Sequence, residues 1–202
     1  RSTERIEPAD QAGLAHPRIG YFGVLDERLD RDLVAGLAAA RPDWHFVMLG
    51  PVVKISEADL PQAPNIHWLG PKRYEELPDY LGGWDAGFMP FALNDATRFI
   101  SPTKTPEFLA AGLPVVSTAV RDVVRSYGAD GLVEIAAGPR DFAAALGRAL
   151  QARDDPARLR AVDDRLATTS WDATWGAMQR LIMDRLQPNN TAAAVRGDHA
   201  HV

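Results

Sequence analysis

Arg18-Ile19-Gly20-Tyr21-Phe22-Gly23-Val24 opens the stretch, residues 18–50, whose reading decides the fold. A short apolar run that ends at glycine is the pattern of a buried strand. Leu29, Leu33, Val34 and Leu37 follow at helical spacing, and Arg41-Pro42 closes that helix. His45-Phe46-Val47-Met48-Leu49-Gly50 then returns to the strand pattern. Two apolar strands joined by a crossover helix make a βαβ unit, whose strands are parallel and covered on both faces.

The same rhythm continues outward. Strands are expected at Asn65–Gly70, Asp85–Pro90, Pro114–Thr118 and Leu132–Ile135. Between the second and third lies a proline-containing connector, residues 51–64, with one helical turn expected around Glu57. Helices are expected from Tyr74 to Leu81, at Glu107–Gly112, around Val120–Tyr127, and through Phe142, Leu146 and Leu150. Leu159, Val162 and Leu166 mark another, and Ser170 is placed to cap a last helix whose face is Trp171, Trp175, Met178, Ile182 and Leu186. Trp171 and Trp175 read as packing residues. The expected architecture is α/β and doubly wound (Rossmann-like), a mostly parallel six-stranded sheet with helices on both faces. Residues 1–17 read as a linker or N-terminal extension, 18–187 as the domain, and 188–202 as a disordered tail.

Composition narrows the function classes. Apolar residues make up 46% and charged residues 24%, which suits a globular core. A net charge of −5 with intermingled signs argues against nucleic acid as a partner. There is no cysteine, so disulfides and thiolate metal sites are excluded. The histidines lack ligand spacing, and no metal site is expected. No apolar run reaches the ~18 residues of a membrane span, and the polar start Arg1–Arg5 lacks a signal-peptide core. Without an initiator methionine, the chain is expected to be cut from a longer one. Asn189-Asn190-Thr191 fits a glycosylation sequon that a cytoplasmic chain does not use.

In an open parallel sheet the ligand binds at the carboxyl ends of the strands. The informative loop is the fourth, where Ser101-Pro102-Thr103-Lys104-Thr105-Pro106-Glu107 opens a helix. Serine or threonine can cap it, and proline suits a first turn. Free N–H groups there favour an anion such as a diphosphate, and Lys104 adds a point charge. Glu107, one turn further in, suits the two vicinal hydroxyls of a ribose. A nucleotide supplies both parts.

The run from Ser101 through Glu107-Phe108-Leu109-Ala110-Ala111-Gly112-Leu113-Pro114-Val115-Val116-Ser117-Thr118 resembles the P-x-K-x-x-E-[FY]-L-A-A-G-x-P-V-V-[SA]-T segment of retaining-type, GT-B-fold glycosyltransferases. Ile19–Gly23, Asn65–Pro78 and Trp84–Phe91 resemble further segments of that family, in the same order. The resemblance covers about residues 18–150 and implies a C-terminal domain that binds a nucleotide diphosphate sugar, with uridine or guanosine as base. It implies that Glu107 holds the ribose and that Ser101, Thr103, Lys104 and Thr105 belong to the segment facing the diphosphate. Gly23 lets the first loop approach the phosphates, and the turn of Gly70 and Lys72 lies where the base packs. Many relatives have a glutamate at the position of Phe99 and an Arg/Lys pair after the first strand, where this loop reads Val24-Leu25-Asp26-Glu27-Arg28.

The implied enzyme moves a sugar to a hydroxyl of a glycan, lipid or small molecule, without a metal or other cofactor. Its partners are the donor and an absent N-terminal acceptor-binding domain, so the isolated domain is expected to be inactive and its catalytic residues are not named. Bacterial polysaccharide biosynthesis, in the cytoplasm or peripherally at the inner membrane face, is the implied setting. The alternatives are a sugar-nucleotide epimerase of the same fold and a non-catalytic doubly wound module.

Overall fold

A computed structural model describes residues 6–101, 103–169 and 171–186, without the side chains of Trp171, Ala173 and Thr174. The proposed cap Ser170, residue Pro102, the sequon and the 188–202 tail lie outside the described residues. The chain divides into two compact units, residues 1–163 and 164–202.

Six strands form one sheet, all parallel, in the order β3-β2-β1-β4-β5-β6. They are β1 (Arg18–Phe22), β2 (His45–Leu49), β3 (Ile66–Trp68), β4 (Ala86–Met89), β5 (Val115–Ser117) and β6 (Val133–Ile135). The order reverses between β1 and β4, which makes that gap the topological switch point. The turn expected around Glu57 is a 3-10 turn at Glu57–Asp59.

Helices α1 (Ala9–Ala12), α2 (Arg31–Ala40), α3 (Leu77–Gly82), α4 (Lys104–Ala110), α5 (Arg121–Val123), α6 (Gly138–Gln151) and α7 (Pro156–Ala167) intervene. Asp30 caps α2, its side chain accepting from the Leu33 N–H at 2.9 Å. The helix expected from Tyr74 starts as a 3-10 turn, Tyr74–Glu76, and that around Val120 ends in a π turn, Val124–Gly128.

Strand alternation sorts the core into two layers. Ile19, Tyr21, Phe46, Met48, Phe88 and Val116 face Leu33, Val34 and Leu37 of α2 and Phe142 and Leu146 of α6. On the other face, Phe108 of α4 meets Phe22 edge-on at 5.0 Å and Trp84 at 6.2 Å. Gly20 and Gly87 lie beneath these rings. A Cβ at Gly20 would overlap the Trp84 indole, and one at Gly87 would press on Phe108. The central strands are thinned there to seat aromatic rings.

Residues 7–17, within the stretch read as a linker or N-terminal extension, pack against the sheet. Gln11 of α1 is fully buried, donating to the Tyr80 carbonyl and accepting from Trp84 Nε1 at 3.0 Å. Arg18, also buried, pairs with Glu7 and donates to the Leu14 carbonyl. Asp85 accepts from the Arg18 backbone N–H at 2.7 Å and is paired with His16 and Arg153. These contacts close the amino-terminal edge of the sheet.

In the second unit, α8 (Trp171–Leu186) matches the expected last helix. Trp175, Met178, Ile182 and Leu186 on its proposed packing face are exposed. No described helix is long and apolar enough to cross a membrane.

Candidate functional site

The loops after β1, β2 and β3 are laced together at the carboxyl edge. The Gly23 N–H donates to the Leu49 carbonyl, and the Gly50 N–H to the Gly70 carbonyl, both at 2.9 Å. Gly23 has φ 133°, which side-chain-bearing residues rarely adopt. A Cβ there would also overlap the stem of Lys104. Gly23 therefore makes room for a lysine as well as for the turn.

That lysine begins α4. Its ammonium lies 5.7 Å from the Tyr21 ring centroid and 5.8 Å from that of Phe91. Burial lowers its pKa from the ordinary lysine value, the neighbouring Arg28 charge acts the same way, and Glu107 and Asp26 oppose both. The described structure records no acid in ion-pair contact with Lys104. Such a desolvated, unpaired cation is suited to receive an anion.

Glu107 is three residues on, so it and Lys104 share one side of α4. Its Oε1 accepts a hydrogen bond from the Tyr74 hydroxyl at 3.1 Å. That bond, with the carboxylate's charge, raises the tyrosine's pKa. Beside the pair opens a mostly apolar cavity of about 280 Å³, walled by Phe22, Leu77, Pro78, Leu81 and Ala110, with Tyr74 and Glu107 at its polar side. Tyr74 escaped the sequence reading because its partner is 33 positions away.

Helical geometry separates the other expected contacts. Thr105, Phe108 and Leu109 form the buried face of α4, and the Thr105 hydroxyl is directed to Met89 Sδ at 3.6 Å. Its side chain is thus spent in the core, and only its backbone remains for a ligand. Ser101 and Thr103 are exposed, and Thr103 precedes the helix without a side-chain capping bond, unlike the cap expected there. With seven residues, α4 has a short dipole, so Lys104 supplies most of the positive charge.

Lys72 is engaged elsewhere: its ammonium pairs with Asp10 of α1 at 2.7 Å and lies over the Tyr80 ring. Burial alone would lower its pKa, but the bonds to Asp10 and Tyr80 reverse that and raise it. Gly70, at φ 70°, has open space where a Cβ would project. In the first loop, Asp26 is buried and grips Arg28 with both oxygens, at 2.6–3.0 Å. Burial would raise the Asp26 pKa, but Arg28 outweighs it and holds the carboxyl below its usual range. Asp26 thus neutralises and orients Arg28. No group of three potential metal ligands occurs among the described residues.

Known proteins place this geometry in a family. The profile of "Glycosyl transferases group 1" matches residues 16–152, more than half of the chain. A putative teichuronic acid biosynthesis glycosyltransferase, TuaH of Bacillus subtilis, is 36% identical over 103 residues, covering 50% of this chain and 26% of that protein. Anabaena HepE, solved with UDP-glucose, has a similar fold, with TM-score 0.59 at 14% identity over 90% of this chain and 53% of its own. Trehalose-6-phosphate synthase OtsA does too, with TM-score 0.61 at 18% identity, over 90% and 47% of the two chains. The chain thus spans about half the length of these solved structures and matches a quarter of the curated relative. A profile match that runs through the whole six-stranded sheet leads to one conclusion: the chain belongs to the group 1 glycosyl transferases.

Proposed function

We propose that this domain binds a nucleoside diphosphate sugar at the carboxyl edge of its sheet, as the donor half of a glycosyltransferase. The carrying observation is the pairing of Lys104, unpaired and seated on Gly23, with Glu107 one turn along the same side of α4. Lys104 receives the diphosphate, and Glu107 accepts hydrogen bonds from the ribose hydroxyls. The base, uridine or guanosine, enters the cavity beside Tyr74, whose hydroxyl steadies one oxygen of Glu107.

In the reaction the bond between the sugar's anomeric carbon and the diphosphate oxygen breaks, and a bond to an acceptor hydroxyl oxygen forms. Lys104 stabilises the charge developing on the leaving diphosphate, with backbone N–H groups at the start of α4. The acceptor's proton leaves to a base outside this domain, which also supplies the acceptor site. No metal is required in this scheme. HepE's recorded UDP-glucose favours a UDP donor, and TuaH's name, a teichuronic acid biosynthesis glycosyltransferase, favours bacterial polysaccharide biosynthesis; a cytoplasmic site of synthesis is part of the same proposal.

Thermal-shift titration with UDP and GDP tests the reading. A nucleotide at about a hundred times its dissociation constant stabilises the fold by ~2.7 kcal/mol. Either Lys104→Ala or Glu107→Ala, weakening binding about tenfold, should cut that stabilisation to about 1.4 kcal/mol at the same ligand concentration. A wild-type melt that neither nucleotide moves would defeat the proposal.

A further inference from the structure

Helix α1 lies within the stretch that reads as a linker, yet it reaches towards the donor site through Asp10. The carboxylate spends each of its oxygens on a different element. Oδ2 accepts from the Lys72 ammonium at 2.7 Å, in the turn after β3, and Oδ1 from the Tyr80 hydroxyl at 2.7 Å, in α3. The Lys72 ammonium also lies 5.3 Å from the Tyr80 ring centroid, so the three groups close a triangle. Burial would raise the Asp10 pKa, but the bonds from Lys72 and Tyr80 outweigh it and lower it, so the carboxylate is charged at neutral pH.

The two elements that Asp10 joins are those that shape the cavity beside Glu107. One is α3, which gives its wall through Leu77, Pro78 and Leu81, and the other is the turn, which leads two residues after Lys72 into Tyr74 at its polar side. The turn has few other ties. Its start is fixed where the Gly50 N–H donates to the Gly70 carbonyl, and its end where the Arg73 N–H donates to Glu76. Between these points the backbone of Pro71 and Lys72 makes no hydrogen bond among the described residues, which leaves the Lys72 side chain to hold it. Asp10 is itself fixed in place, because the next residue, Gln11, is fully buried and bonded to the Tyr80 carbonyl and the Trp84 indole.

We propose that Asp10 is a positioning residue of the donor site: it clasps the turn 70–73 to α3 and so sets the width of the cavity that takes the base. The inference rests on the donor-site reading above. Asp10 touches no part of the ligand and acts through Lys72 and Tyr80. Its effect is confined to the base, because Lys104 is seated on Gly23 at the start of α4, apart from the clasp.

Calorimetric titration of the chain with UDP, GDP and ribose 5-diphosphate, which lacks a base, tests this. Asp10→Asn and Lys72→Met should each weaken the nucleotide that binds by about three- to fivefold, the scale of a half-exposed ion pair. The double variant should be no weaker than either single one, since both break the same bond. Affinity for ribose 5-diphosphate should stay at the wild-type value. In the unliganded variants the amide order parameters of Lys72, Arg73 and Tyr74 should fall from about 0.85 towards 0.6, with those of β1 and β4 unchanged. Wild-type nucleotide affinity in Asp10→Asn, an equal loss for ribose 5-diphosphate, additive losses in the double variant, or unchanged order parameters overturns the positioning role alone. Failure of both nucleotides to bind the wild-type chain overturns the donor site and this inference with it.

Discussion

The two edges of the sheet spend their charge differently. At the amino-terminal edge the buried charges are engaged: Arg18 is buried against Glu7 and the Leu14 carbonyl, and Asp85 serves Arg18, His16 and Arg153 together. At the carboxyl edge Lys104, Arg98 and Arg121 have no acidic partner among the described residues, and Tyr74 and Phe99 stand exposed. Satisfied networks at one end hold the fold together, while the other end retains cations and rings that a ligand can engage.

Substitutions at the two edges should therefore separate stability from binding. Trp84→Ala, which empties the space over Gly20 and orphans Gln11, should cost ~3–5 kcal/mol in urea unfolding while a bound nucleotide still raises the melting temperature. Asp85→Ala strands Arg153, His16 and the Arg18 N–H. Allowing for the partial exposure of Arg153 and His16, the loss should be about 2 kcal/mol. Glu107→Ala should do the reverse, changing stability by no more than ~0.5 kcal/mol while weakening nucleotide binding about tenfold by calorimetry. If Glu107→Ala instead unfolds the chain as Asp85→Ala does, the division between the edges fails.

The smallest effect concerns pH. His45 and His67 stack at 5.1 Å between ring centroids, and burial, followed by the charge of His45, holds the His67 pKa below 6.5. The unfolded chain then binds more protons than the folded one at mildly acidic pH. Stability contributed by the neutral His67 is full above about pH 6.5 and falls as pH drops through that value towards the lower folded pKa. His67→Phe should flatten that part of a melting-temperature profile against pH.

Much of this was readable along the chain because it is local. Strands β1 to β4 were signalled by apolar runs ending at glycine or proline, β5 by the run that follows Pro114, and α2 by the spacing of Leu33, Val34 and Leu37. The positions of Lys104 and Glu107 followed from the same reasoning. Thr105 shows a finer rule that was available: with Phe108 and Leu109 it makes an i, i+3, i+4 apolar face, which commits its side chain to the core. Lys72 and Tyr74 could not be assigned this way. Their partners, Asp10 and Glu107, lie 62 and 33 residues away, and only the closed fold brings them together. The same holds for α1, whose four residues have no periodicity and are fixed by the buried Gln11.

The most direct test is an amide-shift map of the isotope-labelled chain titrated with UDP and with GDP. The account predicts that one of them perturbs the amides around Gly23, Gly70–Tyr74 and Thr103–Glu107, while those of Gln11, Arg18, Asp85 and Arg153 stay in place. Perturbations confined to the amino-terminal edge, or none with either nucleotide, would contradict it.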